Sequence, residues 1–363
     1  MSDIEARKVE HIRLAVSGGA EGPLSTWFEC VHLVHMALPE LSLDDVKTSV
    51  EFLGYRLSMP LLISGMTGGT AEARALNERI GEVAQELGIA VGVGSQRPML
   101  VKRSREVVES YAIVRKKAPD VPVIANIGGA QLKSLKIDDV EFLIESIKAD
   151  AIAIHLNPAQ ELVQPGGDRD FRGILDRIAE LADSMSVPVI VKEVGNGLSR
   201  EVVYKLRSVG VRIFDVAGSG GTNWVSIEIL RMLRREGGER YRSVALFRTW
   251  GIPSAAAVIE ARNGAPDSVV IVGGGVRTGL DVAKAIAIGA DLASMARPVL
   301  VRVLRSREEA LRFLRGVRLE LSMAMLLTGS RSIDELKRAP VVLTPPLLDW
   351  VRQRRLTIIR RGA

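Results

Sequence analysis

A chain of 363 residues that is 47% hydrophobic and 25% charged can bury the core of one large domain or two medium ones. Its single cysteine, Cys30, excludes an internal disulfide framework and a thiolate metal site, and reads as a small buried hydrophobe. The formal net charge of +6 is spread along the chain, apart from a C-terminal RQRRLTIIRRGA that reads as a solvated tail, and aromatic residues make up only 4%. That balance fits an anionic small ligand and argues against nucleic acid.

The N-terminal MSDIEARKVEHIRLAV has charges at every turn and no apolar stretch of signal-peptide length. No later segment approaches the roughly 18 to 20 apolar residues needed to span a bilayer, so the expectation is a cytoplasmic protein. Arg7, Lys8 and His11 fall on one helical turn, a pattern that a solvated face also produces. Apolar runs then recur at 60–64, 89–93, 122–126, 151–155, 188–192, 212–216, 268–272 and 291–295. They are continuous, not alternating, as in parallel strands covered on both faces. Amphipathic helical patterns lie between them, such as 71–88 and 279–290, each closed by glycine or a small residue. Strand then helix, eight times over, predicts a closed (β/α)8 TIM barrel in a single domain spanning 1–363. Its core covers about 59–300, with an N-terminal extension (1–58), an excursion at about 217–267 and a C-terminal helical region (301–363). The pattern alone also admits a doubly wound open sheet.

A barrel keeps its chemistry at the C-terminal ends of its strands, so the residues behind each run are the candidate site. SGMTGG (64–69) follows the first run, GSQR (94–97) the second, and Asn126 ends the third. The fourth run leads into HLNPAQE, where Pro158 stops the strand and His155, Asn157, Gln160 and Glu161 crowd its tip. Lys192 closes the fifth run, GSGGTNW (218–224) follows the sixth, GGGVRTG (273–279) the seventh, and ARP (296–298) the eighth. The glycines after the seventh run let backbone N–H groups approach a phosphate, with Arg297 at the mouth of the eighth to complete the site, although tight geometry alone also calls for glycine there. Lys192 ends an apolar run, a costly place for an ammonium without a partner. A Schiff-base amine and a cation facing an electron-rich cofactor both account for it. So does an ion pair with Glu193, which strand alternation disfavours. Glu161, with no histidine pair beside it, is a poor zinc site, but a single carboxylate plus phosphate oxygens suits Mg²⁺. The residues thus predict one phosphate beyond strands seven and eight and a second anionic ligand over strands two and four.

RKVEH, LLISGMTGG, GVGSQR, ANIGGAQL, HLNPAQE, PVIVKEVGNG, GSGGTNW, WGIPSA and GGGVRTGLDVAKAIAIGADLASMARP, in this order over roughly residues 5 to 330, together resemble the type 2 isopentenyl diphosphate isomerases. MTGG and WGIP are common among flavin barrels, whereas RKxxH, SQR and HLNxxQE in one chain are specific. The resemblance implies interconversion of isopentenyl and dimethylallyl diphosphate in isoprenoid biosynthesis, with reduced FMN, Mg²⁺ and NADPH or another reductant, in a homotetramer or octamer. It implies that Ser64, Gly65, Met66 and Thr67 hold the flavin, that Ser95, Asn126, Lys192 and Thr222 surround its ring and ribityl chain, and that Gly273, Gly274, Gly275, Ala296 and Arg297 surround its phosphate. It assigns the substrate diphosphate to Arg7, Lys8, His11, Ser95, Gln96, Arg97, His155, Asn157 and Gln160, and Mg²⁺ to Glu161. The family's PEGD loop reads PGGD here, with Gly166 in place of glutamate.

Protonation at one alkene carbon and deprotonation at another need a dry, electron-rich neighbour. The ionisable side chains cluster instead round the diphosphate, so reduced FMN is expected to supply acid and base, supported by Lys192, Gln160 and His155. The competing expectation is an FMN-dependent 2-hydroxyacid oxidase, which wants a histidine base by the flavin; the four histidines lie at 11, 32, 35 and 155, none after strands six to eight.

Overall fold

The computed structural model describes the backbone of residues 3–235 and 243–359, and the side chains of residues 10–233 and 243–359. Eight strands form a closed barrel: β1 (Leu61–Ile63), β2 (Ala90–Gly92), β3 (Val123–Gly128), β4 (Ala151–Leu156), β5 (Val189–Glu193), β6 (Ile213–Asp215), β7 (Val269–Val272) and β8 (Leu292–Met295). They follow one another round the ring in chain order, and β8 closes on β1. Every pairing is parallel. Each expected run coincides with one of these strands, β3, β4 and β5 continuing one or two residues past it, so the fold is the TIM barrel and not the open sheet.

Alternation along each strand decides what faces where. Leu61, Ile63, Ile152, Ile154, Val189, Val191 and Phe214 join the large outer core under the helices. Leu62, Ala151, Ala153, Ile190 and Ile213 form the inner core. Continuing that alternation one step turns His155, Lys192 and Asp215 inward at the top of the barrel. The bottom is plugged by the antiparallel hairpin Val50–Phe52 and Tyr55–Leu57, whose Phe52 and Leu57 join the inner cluster.

The helices end where local chemistry ends them. The helix Ala71–Leu87 is capped by Thr70, whose side chain accepts from the Ala73 N–H, and is closed by Gly88 at φ +60°. Gly279–Ala287 begins with a capping box between Thr278 and Asp281. The C-terminal region is not purely helical. Its β-branched Val341–Leu343 pairs antiparallel with Val31–Leu33 of the N-terminal extension, because a short VVL run suits a strand. The basic tail is also not simply solvated: Arg354 bonds the buried Glu260 at 2.8 Å. Cys30 is buried, as expected.

Three helices matter to the site: α1 (Asp3–Val16), α2 (Pro158–Val163) and α3 (Trp224–Arg235). α1 leads into a segment that crosses the barrel mouth, where Glu21 bridges Thr222 and Asn223 N–H donates to Ala20 O at 2.8 Å. Among the described residues no helix is long and apolar enough to cross a membrane.

Candidate active site

The C-terminal ends of the strands surround a cavity of about 280 Å³. On its floor, strand register aligns His155 with Lys192 and Lys192 with Asp215, so three titratable side chains stand in a row on β4, β5 and β6. The floor is tightly packed beside the loop after β1. A Cβ on Gly65 would lie 2.0 Å from Val93 O, and one on Gly94 would lie 2.6 Å from Thr67 N. Thr67 Oγ1 is buried there with no partner in the protein, a polar atom that calls for a ligand.

At one end of the cavity lies a cradle built of glycine. Gly274 and Gly275 have φ of +83° and +90°, and a Cβ on Gly274 would sit 1.9 Å from Gly218 O. Only glycine fits such an approach. Beside it begins the helix Arg297–Arg305, with no side-chain cap on its first N–H groups. Exposed N–H groups beside glycine-rich backbone suit a phosphate. The cradle and the orphaned Thr67 hydroxyl therefore fit a phosphorylated cofactor such as FMN. The Arg297 guanidinium has other business: it donates to Ala15 O at 2.7 Å and to Glu21 at 2.6 Å, tying the N-terminal segment to the barrel mouth.

The opposite end is built by α2 and α3. Pro158 opens α2 and leaves Asn157 as a bent residue between strand and helix. Asn157 Nδ2 donates to Gln160 Oε1 at 3.0 Å and to Glu161 Oε1 at 3.1 Å. Asp168 N–H donates to Glu161 Oε2 at 3.0 Å, which closes the PGGD loop over the carboxylate. Gly167 is the tight position in that loop, where a Cβ would meet Glu161 O at 2.2 Å, while Gly166 faces open space at φ +69°. Glu161 is a lone carboxylate. No group of three His, Cys, Asp or Glu side chains converges among the described residues, so a metal here would need oxygens from substrate and water.

Above Gln160 lies Glu228 of α3, fully buried, with His11 Nε2 2.8 Å and Arg231 Nη1 2.5 Å from its two oxygens. Gln160 Nε2 approaches it at 3.4 Å, and His11 packs edge-on against Trp224. Burial pushes the Glu228 carboxyl up, but His11 and Arg231 outweigh it and hold it below its ordinary value.

On the floor, Asn126 Nδ2 donates to Val93 O, so its Oδ1 is the atom facing His155 Nδ1 at 2.9 Å. That fixes the tautomer: Nδ1 carries the proton and Nε2 is a bare acceptor. Burial first, and then the Lys192 charge, push His155 down to about 3, so the ring is neutral. Lys192 Nζ donates to Glu193 O at 2.7 Å and stands 4.0 Å from Asp215 Oδ2. The Glu193 carboxylate faces outward and accepts from the N–H groups of Val194, Gly195 and Asn196; burial still lifts it to about 7. The adjacent glutamate is therefore not the ion partner of Lys192.

Of the residues expected from sequence, Ser64, Gly65, Met66, Thr67, Ser95, Arg97, Asn126, His155, Asn157, Gln160, Glu161, Lys192, Thr222, Gly273, Gly274, Gly275, Ala296, Arg297 and His11 all line this one cavity. Gln96 does not. It is wholly buried behind the wall, its amide donating to Leu143 O at 3.0 Å and its oxygen accepting from Asn126 N at 2.8 Å, so its side chain shapes the loop and does not face the cavity. Arg7 and Lys8 lie on α1, but their side chains fall outside the described residues. Glu228, Asp215 and Glu21 were missed. The available signal was a carboxylate on the apolar face of α3 and another closing the RIFD strand.

The FMN-dependent dehydrogenase family model matches residues 159–343. Among curated relatives, the isopentenyl-diphosphate delta-isomerase of Metallosphaera sedula is 44% identical over 98% of this chain and 99% of its own. That of Aeropyrum pernix is 47% identical over 94% and 90%, and that of Methanosarcina barkeri 43% over 98% and 96%. Among solved structures, a Pediococcus acidilactici (putative) lactate oxidase superposes with TM-score 0.63 at 18% identity, covering 95% of each chain. A mandelate oxidase mutant superposes with TM-score 0.60 at 18% identity over 92% of each chain. At that identity the oxidases share the barrel alone. The relatives set the family, and this chain belongs to the FMN-dependent, type 2 isopentenyl-diphosphate delta-isomerases.

Proposed function

We propose that the cavity interconverts isopentenyl and dimethylallyl diphosphate, with the cofactor phosphate in the glycine cradle and the substrate diphosphate at the α2 end. The observation that carries this reading is the glycine cradle with uncapped helix N–H groups at one end of the cavity, His11, Arg97, Asn157 and Glu161 at the other, and Lys192 on the floor between them. FMN supplies, when bound and reduced, an electron-rich ring able to exchange protons with carbon. The chain's own residues bind and orient. Ser64 to Thr67 and Thr222 flank the flavin, and Gly273 to Gly275 with Ala296 take its phosphate. Lys192 and Asn126 face its ring.

At the other end Glu161, oriented by Asn157, holds Mg²⁺ against the diphosphate. Ser95, Arg97, His11 and His155 bind the diphosphate oxygens, and Arg7 and Lys8 on α1 close over them. Gln160 stands between that end and the ring. NADPH or another reductant keeps the cofactor reduced, and the enzyme works in the cytoplasm as a homotetramer or octamer. Nucleic acid and membrane are not partners.

The test is anaerobic incubation of the photoreduced holoprotein with isopentenyl diphosphate and Mg²⁺ in D₂O. Deuterium in dimethylallyl diphosphate is the expected result. Protein that takes up no FMN, or that consumes oxygen with lactate and leaves isopentenyl diphosphate untouched, overturns the reading.

A further inference from the structure

We propose that Asp215 is a positioning residue whose carboxylate is the buried counter-charge of Lys192, keeping that side chain an ammonium aimed at the ring of the cofactor. The inference rests on the flavin placement given above and adds to it a residue on β6. Alternation turns Lys192 and Asp215 inward on adjacent strands in direct register, and Nζ lies 4.0 Å from Oδ2. The Asp215 side chain is only 2% exposed.

The other partners of this carboxylate are neutral, the Ala217 and Gly273 N–H groups and the Ser294 hydroxyl, and burial outweighs them and Lys192 together, so the carboxyl lies above its ordinary value. Ala217 N–H donates at 3.3 Å and Ser294 Oγ at 3.4 Å. Such loose donors do not satisfy an ionised group in an apolar wall, whereas a cation does. The groups facing Lys192 from the neighbouring strands are His155 on β4, Asn126 on β3, Ser64 behind β1, and Asp215 on β6. His155 is neutral, and Glu193 accepts from Lys192 through its carbonyl oxygen while its carboxylate, turned outward onto backbone N–H groups, feels the ammonium only as the smallest of its influences. Asp215 is thus the anion that faces Lys192 among the described residues.

The same carboxylate reaches the phosphate end. A Cβ on Gly273 would lie 3.2 Å from Asp215 Oδ1, so one side chain touches both the lysine of the floor and the turn that opens the glycine cradle. A small cavity of about 20 Å³ between Ser64, Asn126, Lys192 and Asp215 leaves room for a water beside a shortened side chain.

The test is site-resolved carbamoylation by cyanate, which adds only to the free amine, followed by mass spectrometry of the Lys192 peptide. Rates are measured on flavin-stripped and FMN-loaded protein, for the wild type, Asp215→Asn, Asp215→Glu and, as a control, Glu193→Gln. With the facing anion replaced by a neutral amide the ammonium loses its partner, and flavin-stripped D215N is expected to label Lys192 about tenfold faster or more. D215E, which keeps the charge, stays near the wild-type rate, as does E193Q. Asp215→Ser replaces D215N if the amide variant does not fold. A D215N or D215S rate equal to wild type overturns the proposal. Loading FMN is expected to slow labelling in the wild type; an unchanged rate overturns the flavin placement instead, so the two failures are told apart.

Discussion

His11 and Glu228, 217 residues apart in sequence, meet at 2.8 Å above the α2 end of the cavity, where the diphosphate is proposed to bind. The bond pins α1, which carries Arg7 and Lys8, onto α3. Glu228 is fully buried and also holds Arg231, which reaches on to Glu10 at 3.0 Å. Removing one partner from a buried ion pair leaves the other charge uncompensated, so Glu228→Ala is expected to cost roughly 3–5 kcal/mol of stability. Glu228→Gln keeps the shape and loses the charge-assisted bond, a loss of about 1.5–3 kcal/mol. Its effect is expected on one ligand: KM for isopentenyl diphosphate rises about tenfold or more while the FMN dissociation constant stays put. Equal weakening of both would mean that α1 serves the fold and not the substrate.

Asn157 has no charge, yet its amide fixes both Gln160 and Glu161. Residues that orient a metal ligand typically cost about 10–100-fold in metal affinity when removed. Asn157→Ala should therefore shift the Mg²⁺ concentration for half-maximal turnover upward by that factor, with FMN retained. Glu161→Gln should abolish Mg²⁺-dependent turnover altogether. Wild-type Mg²⁺ titrations in either variant would remove the metal from α2.

The glycines separate into those the site requires and those it tolerates. Gly274→Ala places a methyl 1.9 Å from Gly218 O at φ +83°, so the cradle must open and FMN retention is expected to be lost. Gly166→Ala meets nothing within 4 Å and pays only for φ +69°, about 1–2 kcal/mol. Turnover in that variant should stay at the wild-type level. Fluorescence titration of FMN and initial rates check the pair; a G274A protein that binds FMN normally would move the phosphate elsewhere.

The barrel was legible because burial on both faces writes itself as continuous apolar runs, and the position of Lys192 at a strand end followed from that. Most of the cavity lining was legible for the same reason: strand ends are marked in the sequence, and the polar residues beside them converge on one cavity. What escaped were partners brought together by tertiary packing. Asp215 at the end of RIFD and Glu228 among the apolar residues of α3 are visible as out-of-place carboxylates, but their partners Lys192, His11 and Arg231 are named only by the packing. Gln96 misled in the opposite direction. A polar residue in a loop that lines a cavity can still point into the wall, and only its bonds to Leu143 and Asn126 reveal which way it turned. Arg297 reads as a phosphate ligand through its charge, but its guanidinium donates to Ala15 and Glu21, which leaves the start of its helix to face the cradle.

His155, proposed to bind the diphosphate, is in a protonation state that does not suit an anion. Its proton is on Nδ1, committed to Asn126, so Nε2 offers a lone pair to a diphosphate that can only accept. Burial and Lys192 hold the free ring at about 3. A diphosphate with Mg²⁺ brings net negative charge to the ring, which favours the imidazolium and turns Nε2 into a donor. Binding near pH 7 is therefore expected to take up a proton, and His155→Asn should reduce the uptake. Calorimetry of inorganic pyrophosphate binding with Mg²⁺ in buffers of different ionisation enthalpy reads this directly. Equal uptake in both proteins would show that another group titrates. The fold itself carries the matching signature. A pKa depressed from 6.5 to about 3 means the unfolded chain binds the proton more tightly. The stability from neutral His155 is thus fully present above pH 6.5 and lost as pH falls from there towards 3. The melting temperature of H155N should fall less steeply than that of the wild type across that window.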